Sequence, residues 1–365
     1  MMSRWADYYL DREFMSFWRR RAREPELSVL LLVGVGFDPR CIRTLAALRD
    51  CGLPNGINYL AFKLIAPRVV TGASDVMESV ARRNLQKLQA LAGCKEEALH
   101  ELETHDSEGH NVVGRRATAA VVNDHHILSK YSDVIVDVSG MPRGMFFPLI
   151  KYLLRQADAG LFKNLHLAVV EDPVLDSHIS AKEYGQADYL YTFRYPGESK
   201  VVWLPLLGGD QTTRLQKIHN RIESACIEIC PILPFPAGSF RRVDDVILRH
   251  ADVLFESFVA SPENVILCDE RSPFDAYRKI LEVEEYYRNR LGGLADLGAV
   301  STVLSPLSSK TLSLGMALAA IERNLPVCHV EAGAYHVEVD SEHNLVADPE
   351  AEPTEIWLTG EPYEA

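Results

Sequence analysis

Apolar residues along this chain fall into short unbroken runs separated by longer stretches of helical period, the pattern of a parallel sheet whose strands are covered on both faces. The first run, residues 28–35, ends in a turn carrying Gly34, Gly36, Phe37, Asp38 and Arg40. A helix over 41–51 and a strand over 59–65 give a β-α-β start. Residues 74–104 read as helix, 104–114 as a polar loop and 116–129 as a further helix. A strand over 134–138 then leads into Ser139, Gly140, Met141, Pro142, Arg143 and Gly144, a helix to 155 and a strand over 165–170.

The second half repeats the plan. A strand over 201–207 closes on Gly208, Gly209 and Asp210; a helix over 213–224, a strand over 225–232 and helices over 242–256 and 274–291 follow. A strand over 300–304 meets Ser305-Pro-Leu-Ser308-Ser309-Lys310-Thr311, then a helix to 324 and a strand over 327–331. Gly34 with Gly208, Ser139 with Ser305 and Glu171 with Glu331 keep one order at drifting offsets, which points to an internal duplication. The expected fold class is α/β, with two Rossmann-like units and mostly parallel sheets. The expected boundaries are an amphipathic helix over 1–24, units over 25–198 and 199–340, and an acidic segment over 341–365 that partly supplies an edge element.

In the opening helix Trp5, Tyr8, Tyr9, Phe14, Phe17 and Trp18 recur near helical spacing, ahead of Arg19, Arg20, Arg21 and Arg23. Such a stripe is expected to pack on its own domain, with a membrane surface or a partner protein as the alternative.

Composition narrows the classes. At 365 residues the chain has room for two domains, and 47% hydrophobic with 24% charged residues is ordinary globular usage. A net charge of −13 argues against a general nucleic-acid coat, which needs clustered Lys and Arg, while allowing a local basic pocket. Apolar runs fall short of the roughly 20 residues of a membrane span. Seven scattered cysteines and the lack of a charged-then-apolar opening segment predict reduced thiols in a cytoplasmic protein. Cys226 and Cys230 lack a second ligand pair, so no metal is expected.

Ligands of open α/β sheets sit beyond the carboxyl ends of the strands, where helix starts offer amide groups and the positive dipole end. Ser305, Ser308, Ser309 and Thr311 add hydroxyls there and Lys310 a cation, with Ser139, Gly140 and Arg143 as a looser counterpart. Hydroxyl residues at such places also simply cap helices. The first-strand turns add ligand-binding candidates, Gly34, Gly36, Asp38 and Arg40 in one half and Gly208, Gly209 and Asp210 in the other, but the Gly34–Gly36 turn lacks the third glycine and the ribose-binding acid of a dinucleotide fingerprint, so no such cofactor is expected. Asp137, Glu171, Asp172, Asp269, Glu270 and Glu331 lie near strand ends as candidate acids or bases.

The stretch from Thr302 to Gly315, followed by Met-Ala-Leu-Ala-Ala, resembles the last strand, ligand loop and helix of CARF domains, and Val136-Asp-Val-Ser-Gly-Met-Pro-Arg143 looks like a second, divergent copy. Two such units in one chain are similar to the SAVED arrangement of prokaryotic anti-phage signalling systems. Pro306 and Leu307 stand where that loop has glycines. The resemblance implies a sensor binding a phosphate-bearing nucleotide, of the cyclic oligonucleotide kind, in a cleft shared by the two halves, through Ser305, Ser308, Ser309, Lys310, Thr311, Ser139, Gly140 and Arg143. Signalling would then need a separate effector protein, and self-association is compatible with it. Two rivals remain: an enzyme cleaving a nucleotide or phosphosugar at the same place, with a base among Asp38, Asp210, Glu171 and Glu331, and a structural subunit of a defence complex.

Overall fold

A computed structural model describes residues 3–65, 73–106, 110–193, 195–209, 212–291, 298–340 and 345–364. In chain order the first strands and helices are β1 (Tyr9–Asp11), α1 (Phe14–Arg21), β2 (Val29–Val35), α2 (Arg43–Asp50), β3 (Ile57–Ile65), α3 (Ala73–Gln89), β4 (Cys94–Glu103), α4 (Val113–Asn123), α5 (His125–Leu128), β5 (Asp133–Asp137), α6 (Arg143–Asp158), β6 (Asn164–Val170), α7 (Pro173–Ser177) and β7 (Ile179–Tyr184). Then come β8 (Asp188–Tyr189), β9 (Lys200–Leu207), α8 (Thr212–Ile222), β10 (Cys226–Ile229), β11 (Ile232–Pro234), α9 (Arg242–Ala251), β12 (Ile266–Cys268), α10 (Pro273–Leu291), β13 (Val300–Leu307), α11 (Lys310–Arg323) and β14 (Cys328–His329). The chain closes with β15 (Ala332–Val337) and β16 (Pro353–Thr359).

Two compact units result. The first comprises Trp5–Glu183 and Ala332–Ala365, and the second comprises Met1–Arg4 and Tyr184–Glu331. The boundary therefore falls near 184 and not at 198, and the chain re-enters the first unit after 331. Among the described residues the main sheet of the first unit runs β1-β16-β6-β5-β2-β3-β4. Its five strands β2 to β6 are parallel, in the order third, second, first, fourth, fifth. Every residue of β2, β5 and β6 is buried, as strands covered by helices on both faces require, and β2 is apolar throughout.

The second unit repeats that order. β9 pairs in parallel with β13 on one side and with β10 and then β11 on the other, and β11 pairs with β12. β10 and β11 are one strand interrupted at Cys230-Pro231, since proline cannot donate to the ladder. A parallel bridge from Leu304 to Val327 adds the fifth position. The helices flanking the fourth strand also pack alike. A Cβ on Gly114 of α4 would overlap the Gly144 carbonyl of α6, and one on Gly315 of α11 would overlap the Pro273 carbonyl of α10. Each crossing brings backbone against backbone, which only a residue without Cβ permits.

Four expected elements differ from the structure. The stretch 74–104 is helix only to Gln89; the chain then turns through Gly93, at φ +78°, into β4, whose many charged residues suit an edge strand. Among the described residues of the opening 24, the helix is the eight-residue α1, preceded by β1 pairing antiparallel with β16. The aromatic stripe packs on its own unit: Phe14, Phe17 and Trp18 lie in the core that also holds Trp357. The acidic segment over 341–365 supplies β16, an inner antiparallel strand between β6 and β1, rather than an edge element; residues 341–344 lie outside the described residues. Finally, β13 runs on through Leu307, in unbroken register with β9 to Leu207. Leu304 N–H bonds the Pro326 carbonyl, so the nitrogen of Pro306, two residues on, also points away from β9 and costs that ladder nothing. Among the described residues no helix is long and apolar enough to cross a membrane.

Candidate functional site

In a sheet of this order the connections leave the first and fourth strands in opposite directions, and the crevice at their carboxyl ends is where open α/β folds bind ligands. In the second unit that point lies between β9 and β13. Gly208 follows β9, and a Cβ there would stand 2.8 Å from Ser308 Cα and 2.9 Å from the Leu307 carbonyl oxygen. Only glycine lets the two turns close to this separation. Ser309 then caps α11, its hydroxyl accepting from Leu312 N–H at 3.3 Å, while its carbonyl accepts from the Ser313 hydroxyl at 2.6 Å. Lys310 is the first residue of a 14-residue helix and is half-buried; Ser308 and Thr311 beside it are buried. A helix start of this length carries the positive end of the dipole at the strand crevice. Gly209 is half-buried, whereas Asp210 lies outside the described residues.

Ser305 sits elsewhere. It is two residues inside β13, fully buried, and its hydroxyl accepts from the Trp203 indole N–H at 2.9 Å. The turn between β13 and α11 is therefore 308–311, shorter than the sequence predicts, because the strand continues through Pro306.

The first unit builds the equivalent point between β2 and β5. A Cβ on Gly34 would stand 2.7 Å from Met141 Cγ and 3.3 Å from the Gly140 carbonyl oxygen, and one on Gly140 would overlap the Gly34 carbonyl. Here too the turns meet backbone to backbone. Ser139 is fully buried; its N–H donates to Asp137 Oδ1 at 2.8 Å and its hydroxyl accepts from Val170 N–H at 2.9 Å, which ties β5 to β6. Arg143 is the first residue of α6 and half-buried.

Asp38 and Arg40 hold each other. The Asp38 carboxylate accepts from Arg40 N–H at 3.0 Å and pairs with its guanidinium at 2.8 Å, and Arg40 also meets Asp176 at 2.9 Å. Burial alone would loosen the Arg40 proton, but the two carboxylates more than reverse this and raise its pKa. Both expected ligand groups are thus committed to the turn's own structure. The other strand-end carboxylates behave similarly. Asp172 caps α7 and accepts from Asp348 N–H, Glu270 accepts from Gly238 N–H and pairs with Arg242, and Asp269 accepts from Arg271 N–H. All seven cysteines are free, and Cys230 Sγ lies 3.5 Å from the Tyr287 hydroxyl. Among the described residues no group of His, Cys, Asp and Glu is arranged to hold a metal.

Three further groups reach these turns without any motif in the sequence: Asn84 on α3, and Arg249 and His250 on α9. Each occupies an amphipathic helix far along the chain from the turn it meets, so only the fold brings them there.

No family model matches the chain, and no curated protein matches it. Among solved structures it is similar to the zinc-inhibited form of the teicoplanin deacetylase Orf2, at 14% identity over 44% of this chain and 77% of that one, with a TM-score of 0.29. A putative universal stress protein from Pseudomonas aeruginosa UCBPP-PA14 is 12% identical over 85% and 94% of the two chains, TM-score 0.24. The A40926 pseudoaglycone deacetylase Dbv21 is 12% identical over 75% and 94%, TM-score 0.30. At these values nothing about activity transfers to this chain.

Proposed function

We propose that this chain is a sensor module that binds a phosphate-bearing nucleotide, with its principal anion site at the 308–311 turn and a weaker one at 139–143. The observation that carries this reading is the coincidence of the Ser309-capped start of α11, bearing Lys310, with the point where β9 and β13 diverge. Dipole, hydroxyls and cation converge there on a place where the fold favours ligands. The resemblance of 302–315 to a CARF ligand loop supports a nucleotide over other anions, and the SAVED-like pairing of two units supports a role in anti-phage signalling through a separate effector protein.

Catalysis draws no comparable support. Asp38, a candidate base, is neutralised by Arg40. The reading is tested by isothermal titration of the full chain with AMP, ADP, ATP, cyclic di-AMP and a cyclic tri-adenylate. Heat from at least one is expected, with Lys310→Ala weakening it about tenfold, as loss of one charged hydrogen-bond donor would. No heat from any of them, in a folded sample, overturns the reading. Chromatography showing the ligand cleaved on prolonged incubation, with or without magnesium, would replace the sensor by an enzyme.

A further inference from the structure

Two buried side chains hold the first-strand turns of the two units in the same way. In the first unit Asn84, 3% exposed on α3, donates its amide Nδ2 to the carbonyls of Gly36 at 2.9 Å and Phe37 at 3.1 Å. In the second, His250 on α9 is fully buried and meets the Gly209 carbonyl through Nε2 at 3.1 Å and the Thr212 hydroxyl through Nδ1 at 3.0 Å. A carbonyl only accepts, so Nε2 carries a proton. The helices concerned are topological equivalents: α3 follows β3 and precedes β4, and α9 follows β11 and precedes β12.

α9 reaches its turn by crossing the carboxyl edge of the sheet. Its first residue, Arg242, pairs with Glu270 beyond the end of β12 at 3.3 Å, while His250 near its other end meets the turn after β9. Ten residues of helix extend about 15 Å, enough to pass from β12 over β11 to β9 at about 4.8 Å per strand. Arg249 is carried along with His250. It is exposed, and its Nη1 lies 3.9 Å from where a Cβ on Gly209 would stand.

We infer that Asn84 and His250 are positioning residues for the first-strand turns that close on the 139–143 and 308–311 ligand turns, and that Arg249 supplies a second cation beside Gly209. Turn carbonyls drawn toward a buried donor spend their lone pairs inside the unit. An arriving phosphate then meets amide N–H groups and a guanidinium rather than repelling oxygens. The inference deepens the nucleotide reading and rests on it for the ligand's identity.

The test follows amide hydrogen exchange across the turns of the full chain together with titration of the five nucleotides named above. His250→Leu is expected to raise exchange at Gly209 and Thr212, and to weaken binding, each about tenfold, the effect of leaving one buried acceptor without its donor. His250→Gln, which keeps a donor, restores both, a rescue that mere loss of packing would not allow. Asn84→Leu acts in the same way on Gly36 and Phe37. Arg249→Ala, an exposed position that leaves the core untouched, weakens binding without changing exchange. Unchanged exchange in His250→Leu overturns the inference, and so does raised exchange with unchanged affinity. If the wild-type chain gives no heat with any nucleotide, the binding reading falls, while the exchange data still decide whether His250 and Asn84 hold the turns.

Discussion

The backbone of Gly140 passes so close to Gly34 that a Cβ on Gly140 would overlap the Gly34 carbonyl oxygen and stand 3.0 Å from the Cys41 Cβ. Gly140→Ala must therefore separate the turns after β2 and β5. A loss of about 1–3 kcal/mol by urea denaturation is expected, the usual cost of overpacking a closed contact. Gly36→Ala is the control. Nothing lies within 4 Å of a Cβ there, so it should fall within about 0.5 kcal/mol of wild type. Equal losses at both positions would show that the close approach does not matter.

Much of this architecture is legible in the sequence because two-sided burial favours apolar runs: β2 and residues 201–207 of β9 are such runs, and β5, β6 and β13 keep apolar stretches between a few buried polar residues. The small-residue turns after them follow from backbone approach, which leaves a visible signature in Gly34, Gly140 and Gly208. β4 and β16 are hidden for opposite reasons. β4, at an edge, carries Lys95, Glu96, Glu97, Glu101 and Glu103 and reads like a helix, whereas β16 is reached only after the whole second unit has intervened. Asn84 and His250 are hidden because a hydrogen bond across the fold leaves no local pattern.

Ser305 separates capping and core chemistry from ligand chemistry. Its hydroxyl is the acceptor for the buried Trp203 indole N–H, so Ser305→Ala leaves that donor unsatisfied. The expected cost is about 1–3 kcal/mol of stability. Nucleotide affinity, measured at a temperature where the variant is folded, should not change. An affinity loss as large as that of Lys310→Ala would return Ser305 to the ligand site.

The Asp38–Arg40 pair should behave as a structural couple. The two side chains are only 13% and 8% exposed, so removing one leaves a poorly hydrated charge. Asp38→Asn and Arg40→Met are each expected to destabilise the chain. Their double mutant should recover part of the loss, with a coupling of about 1–3 kcal/mol in a double-mutant cycle. Strict additivity would mean that the pair contributes nothing.

Stability should depend on pH through a buried network in the first unit. His166 is fully buried, with Nδ1 2.7 Å from Glu355 Oε1 and Nε2 3.0 Å from Asp133 Oδ1. Arg21 pairs with the same Asp133 oxygen at 2.8 Å, Asn164 reaches its other oxygen at 3.3 Å, and the Trp18 indole donates to Glu355 at 2.9 Å. Burial alone would lower the His166 pKa, but the two carboxylates outweigh it and raise it to about 9. Burial would likewise raise Asp133, yet His166 and Arg21 bring it down to about 2. The signs follow by linkage. The raised histidine contributes stability in full below its unfolded value of about 6.5, and this is lost as pH rises through about 9. The lowered aspartate contributes above about 3.9, and this is lost as pH falls toward about 2. Unfolding free energy measured by urea at successive pH values should therefore be highest from about pH 4 to 6.5 and decline on either side. His166→Gln, which cannot become charged, is expected to be less stable at neutral pH and to lose the alkaline decline. If the variant kept the wild-type slope between pH 6.5 and 9, the decline would belong to another group and the charged form of His166 would not be what joins β5, β6 and β16.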